Sequence, residues 1–277
     1  MVEELGDGYA IDKLIKKQGK IPVPVAMLIM QDACYGLKYA HSKKVIHRDI
    51  KPGNILVSKR GEIKITDFGI ASDESEREDN LTLHGVALGT PAYMPPEQFD
   101  DSASVDNRAD IYALGITLYE MITGVKPYSG DFTPENINVI KKGRYKSPRK
   151  IEKSVPVEVQ KIIAKMINSK ARKRFQTVDG VLRAVKRYLK HYDTHELRVQ
   201  LARSVSIDKE FKWTPKAMEP KDKKQMLAKK IGLGTVCSAA VLGVLLYTGV
   251  IHRTILAYCY NPVNVEMLMP KSVFRAG

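Results

Sequence analysis

Apolar residues recur at helical spacing from Val25 to Met30 and on through Leu37, Tyr39 and Ala40, directly after Pro22 and Pro24. The pattern predicts a long buried helix that delivers the chain to His47. The next apolar stretches are short. Ile55-Leu56-Val57 and Ile63-Lys64-Ile65 flank Arg60-Gly61 and predict a hairpin between two loops, one ending near Asn54 and one beginning near Asp67. From Ala71 to Asn80 the chain turns polar and acidic, which predicts a mobile loop. Helical patterns resume after Pro95. The run Ile111 to Met121 is apolar on nearly every side, the mark of a helix inside a core rather than on its surface. Further helices are predicted over 156–168 and 178–190. Between His191 and Lys230 charge rises and apolar periodicity fades, so this stretch reads as a linker.

The 21 residues from Ile231 to Ile251 carry no charge. At about 1.5 Å per residue they match a hydrocarbon core of roughly 30 Å, and a single transmembrane helix is expected. Lys221, Lys223, Lys224, Lys229 and Lys230 precede the run, whereas His252, Arg253 and Lys271 follow it. That asymmetry puts the large domain on the cytoplasmic side, with the lysines against anionic lipid. Gly232, Gly234, Ser238, Ala239, Ala240 and Gly243 suit helix–helix contact, so a homodimer through this segment is a further expectation. The expected organisation is a folded domain over 1–190, a basic juxtamembrane linker over 191–230, the membrane helix over 231–251 and a short outer tail over 252–277.

Composition narrows the partners. The formal net charge is +14, but the cations are spread along the chain without an aromatic-rich basic motif or a C-x-x-C pair, so no nucleic-acid partner is expected. Cys34, Cys237 and Cys259 are far apart and odd in number, which speaks against a disulfide framework and a zinc site.

The chemistry sits in two segments, His47-Arg48-Asp49-Ile50-Lys51-Pro52-Gly53-Asn54 and Asp67-Phe68-Gly69. Phosphoryl transfer asks a protein only to position a hydroxyl and to neutralise phosphate charge. Asp49 would orient the hydroxyl or take its proton, Lys51 would stabilise the transferring phosphate, and Asn54 and Asp67 would hold Mg2+ through oxygen ligands. Each residue alone has a bland reading as a turn, a surface cation or a cap. Their order and separations together do not.

The chain resembles the large lobe of a Hanks-type serine/threonine protein kinase, of the membrane-anchored bacterial kind, from about Met1 to Lys190. The resemblance implies a protein-kinase-like α+β fold, a mainly helical large lobe with short β-hairpins. It also implies ATP and Mg2+ as cofactors and protein serine and threonine hydroxyls as substrates. On the same footing Glu3 and Leu5 resemble the hinge that bonds adenine, and Leu56 would lie under the purine ring. Thr90 lies in Gly89-Thr90-Pro91-Ala92-Tyr93-Met94-Pro95-Pro96-Glu97, which resembles the substrate-cradling segment. By similarity Glu97 would pair with Arg174, and Asp110 would anchor the catalytic loop's backbone. Arg48 would engage a phosphorylated activation loop, for which Thr82 is the favoured acceptor. One departure stands out: no glycine-rich phosphate loop, strand lysine or partner glutamate occurs in the sequence, so it reads as N-terminally truncated. A catalytically inactive membrane scaffold, or a large lobe complemented by a separate small lobe, remain the alternatives.

Overall fold

The computed structural model describes residues 9–68, 91–101, 105–207 and 209–220. The acidic loop, Glu3, Leu5, Thr82, Thr90, the apolar run 231–251 and the tail after it lie outside the described residues.

Strand β1, Tyr9–Ala10, runs directly into helix α1, Ile11–Gln18. Ile11, Leu14 and Ile15 of α1 are buried while Lys13 and Lys16 face out, and it stops at Gly19, whose φ of 71° an L side chain rarely adopts. Helix α2, Val23–Ser42, has Pro24 in its first turn, where a missing N–H costs nothing, and its first eight residues include Val25 to Met30, all fully buried. After a 3-10 turn at Pro52–Asn54 come β2, Ile55–Val57, and β3, Ile63–Ile65. The three strands form one antiparallel sheet in the order β1-β2-β3.

Helix α3, Arg108–Thr123, is buried on all sides and forms the axis of the helical layer. α2, α5, Pro148–Ile151, and α6, Val157–Met166, pack on it, while α4, Pro134–Lys141, and α7, Val178–Leu189, complete the helical part of the fold. α7 presents Val181, Leu182, Val185 and Leu189 at helical spacing and packs along α2. α3 and α6 approach so closely at Gly115 that a Cβ there would lie 2.7 Å from both the Ile167 and the Met166 side chains. No helix among the described residues is long and apolar enough to cross a membrane.

The linker reading of 191–230 is corrected for its first part. Residues 194–206 form a helix, α8, Thr194–Ser206, followed by a short α9, Pro215–Met218, and the folded unit extends to Pro220. Asp193 caps α8 by accepting from the amides of His195 and Glu196. Leu197 and Leu201 are fully buried against the core. The helix escaped a hydropathy reading because two of the four positions on its inner face are polar. Gln200 is buried but donates to Glu196 and Thr214, and buried Ser204 donates to the Leu201 carbonyl.

Candidate active site

α2 ends at Ser42, and the chain passes through Lys44 at φ 60° into the loop that begins at His47. Asp110, in the first turn of α3, holds the start of that loop. Its Oδ2 accepts from the His47 amide and its Oδ1 from the Arg48 amide, both at 2.9 Å. His41 Nε2 lies 2.8 Å from the same Oδ2. A carboxylate with almost no exposed surface is thus satisfied by two backbone amides and an imidazole, at the end of a helix where negative charge is favoured. These bonds hold Arg48 in the left-handed region, φ 66°, a conformation that costs a non-glycine residue about 1 kcal/mol or more.

The turn so formed throws Asp49 outward. Its Oδ2 accepts from Lys51 Nζ at 2.7 Å and from Asn54 Nδ2 at 3.0 Å, and Asn54 Nδ2 also reaches the Asp49 carbonyl at 2.8 Å. Both side-chain contacts converge on one oxygen, which leaves Oδ1 on the other side of a half-exposed carboxylate. Asn54 is buried, and because its Nδ2 is spent on Asp49 its Oδ1 is the amide atom turned away from that residue.

The hairpin brings the second segment alongside. Ile55 pairs with Ile65, so Asn54 stands opposite Thr66, whose amide donates to the Asn54 carbonyl at 3.0 Å. Asp67 follows at once, exposed and at φ 60°. His47 ties the loops together, with Nε2 2.7 Å from the Thr66 carbonyl and its ring 4.6 Å from the Phe68 ring. Leu56 points to the face of the sheet opposite buried Ile55 and Val57 and is half-buried, across from Ala10.

Residues 91–99 are fastened to the helical layer. Arg174, with no side-chain exposure, donates Nη1 and Nη2 to the two oxygens of Glu97 at 2.6 and 2.7 Å. It also donates to the carbonyls of Asn168, Arg108 and Ser169, and stacks over the Tyr112 ring. The Tyr93 hydroxyl donates to Glu120. Burial pushes the Glu120 carboxyl above its ordinary range and the Tyr93 phenol well above its own, with the Glu120 charge adding to the latter.

The structure therefore brings Asp49, Lys51 and Asn54 into one hydrogen-bonded cluster, sets Asp67 directly after Thr66, the cross-strand neighbour of Asn54, ties Asp110 to the start of the same loop, and pairs Glu97 with Arg174. Glu3, Leu5, Thr82 and Thr90 lie outside the described residues. The sequence reading missed His41 and Thr66. Thr66 could have been found from the hairpin register, since it is the cross-strand neighbour of Asn54. Among the described residues no three His, Cys, Asp or Glu side chains converge as a self-sufficient metal site.

Residues 1–189 match the protein kinase domain family. The chain belongs to that family. The Hanks-type resemblance carried by the two motifs agrees with its relatives. It is 35% identical over 185 residues to tyrosine-protein kinase MasK of Myxococcus xanthus, across 64% of this chain and 28% of that protein. A Clostridium perfringens protein named as a probable serine/threonine-protein kinase is 35% identical over 66% of this chain and 26% of its own length. Serine/threonine-protein kinase PknB of Mycobacterium tuberculosis is 37% identical over 47% of this chain and 21% of its own. The chain thus spans little more than a quarter of the length of the curated relatives it matches best among these.

Proposed function

We propose that this protein transfers the terminal phosphoryl group of ATP to serine or threonine hydroxyls of proteins. The observation that carries the reading is the convergence of Lys51 and Asn54 on one oxygen of Asp49. It aligns the carboxylate and leaves its second oxygen to receive the hydroxyl of an incoming side chain. Lys51, half-exposed at the same point, is placed to follow negative charge onto a transferring phosphate. Asn54 Oδ1 and the Asp67 carboxylate are hard oxygen donors at the two ends of one hairpin. Such a pair fits Mg2+, which takes few protein ligands and keeps waters or phosphate oxygens for the rest. When bound, that ion supplies charge neutralisation on the phosphates. Leu56 offers an apolar floor for the purine.

Serine/threonine over tyrosine is supported by Lys51, by Thr90 in the segment before Glu97, and by the names of two of the three relatives above; MasK carries the other name. The test is labelling of a mixed protein substrate by the whole protein with ATP and Mg2+, followed by phosphoamino-acid analysis. Phosphoserine and phosphothreonine are the expected products. Phosphotyrosine alone would overturn the specificity, and absence of label would leave a kinase-like scaffold.

The same proposal places the protein in a membrane by one helix over 231–251, with the kinase domain in the cytoplasm. Its support is the uncharged run and the lysines before it. Resistance to alkaline carbonate extraction is expected, and release into the supernatant would contradict it.

A further inference from the structure

The turn of the β2–β3 hairpin is held by α8, from beyond the part of the chain that the kinase motifs occupy. Arg198 Nη1 donates to the Gly61 carbonyl at 2.8 Å and to Asp32 Oδ2 at 2.7 Å, and Nη2 donates to Asp32 Oδ1 at 3.2 Å. Gly61 has φ 76°, and a Cβ there would stand 2.7 Å from the Arg198 carbonyl oxygen, so glycine both makes the turn and lets α8 lie against it. Lys17 of α1 donates to the carbonyls of Ser204 and Ile207, at 2.7 and 2.8 Å, at the C-terminal end of α8. One helix is thereby bonded to α1, to α2 through Asp32, and to the hairpin.

The hairpin is where such a brace has leverage. Its strands are three residues each, too short to hold their own geometry, and its two ends carry Asn54 and Asp67. The Arg198–Asp32 pair keeps part of its surface in water, 32% and 17% exposed, so its worth to global stability is small. Its bond to Gly61 acts on the position of the turn instead.

We propose that Arg198 is a positioning residue for phosphoryl transfer. By bridging Asp32 and the Gly61 carbonyl it fixes the β2–β3 hairpin so that Asn54 and Asp67 keep the spacing needed to share a divalent cation. The proposal rests on the function assigned above. Arginine is required because a lysine ammonium lacks the fork that meets a carboxylate and a carbonyl at once.

The experiment uses the whole protein as wild type, Arg198→Ala and Arg198→Lys. Hydrogen exchange is followed at the amides of Ser58, Gly61 and Thr66, which donate within the hairpin, with α3 amides as the reference. Arg198→Ala should speed exchange at the three hairpin amides by about ten-fold and leave α3 unchanged, with Arg198→Lys between the two. In the transfer assay the Mg2+ concentration giving half-maximal rate should rise by about five-fold in Arg198→Ala, with the KM for protein substrate unchanged. Unchanged hairpin exchange, or exchange that rises equally in α3, overturns the proposal, as does an unaltered Mg2+ dependence in an active variant. Absence of transfer by the wild type would sink the function itself. Transfer by the wild type with wild-type Mg2+ dependence in Arg198→Ala sinks only the role of Arg198.

Discussion

Arg174 is a full positive charge without exposed side-chain surface, and every direction of its guanidinium is accounted for by Glu97, three carbonyls and the Tyr112 ring. Removing the paired carboxylate strands the cation. Glu97→Ala should cost about 3 kcal/mol in urea unfolding, near the low end for a broken buried pair because the carbonyls remain. A loss below about 1 kcal/mol would show that the carbonyls suffice. Glu152 illustrates a titrating contact. Lys20, then the Ser154 hydroxyl and amide, hold its carboxyl at about 2 against an ordinary 4.5. The depressed group stabilises the folded state above about pH 4.5, and that contribution is lost as pH falls through about 2. Glu152→Gln should therefore flatten the fall of Tm across that window, and an unchanged acid profile would remove Glu152 from the account. Glu120 has the opposite sign: burial raises its carboxyl, so its contribution is fullest at low pH and fades as pH rises. At this scale the sequence made the candidate residues legible, because Asp49, Lys51, Asn54 and Asp67 sit at telling separations. It did not show His41 bonding Asp110, since nothing in a lone histidine at the end of a helix announces its partner.

Helices α2 and α3 were legible in hydropathy because both are buried over most of their length, and the hairpin because an apolar triplet and an alternating Ile-Lys-Ile bracket a glycine turn. α8 was not, since only Leu197 and Leu201 give its inner face an apolar signal and its other anchors are polar: Arg198, Gln200 and Ser204. A long-range salt bridge leaves no periodic trace in sequence. Leu201→Ala should destabilise the protein by about 2–4 kcal/mol, the range for a fully buried leucine in a packed core. A linker would tolerate the change, so an unaltered denaturation midpoint would return 194–206 to that reading. Gly115→Ala tests the α3–α6 contact, where backbone-near atoms of Met166 leave no room for a methyl group. A loss of about 1–3 kcal/mol is expected in thermal unfolding, and a neutral result would mean that α6 shifts without cost.

Across the whole molecule the candidate site is a point where distant pieces meet. α3 supplies Asp110, α2 supplies His41, the hairpin spaces Asn54 from Asp67, and α8 holds the hairpin's turn. Motif spacing pointed to the residues of this assembly, and only the folded chain showed the side chains that hold them. In the proposed reaction the Asp49 carboxylate, oriented by Lys51 and Asn54, directs a hydroxyl toward phosphate. The measurement that tests it most directly is the rate of phosphoryl transfer from ATP by the whole protein, wild type against Asp49→Asn, a change that keeps the shape and removes the charge. The account predicts a fall in kcat of about 10²–10⁴-fold with hairpin exchange and Tm unchanged. Equal rates in the two proteins would contradict it.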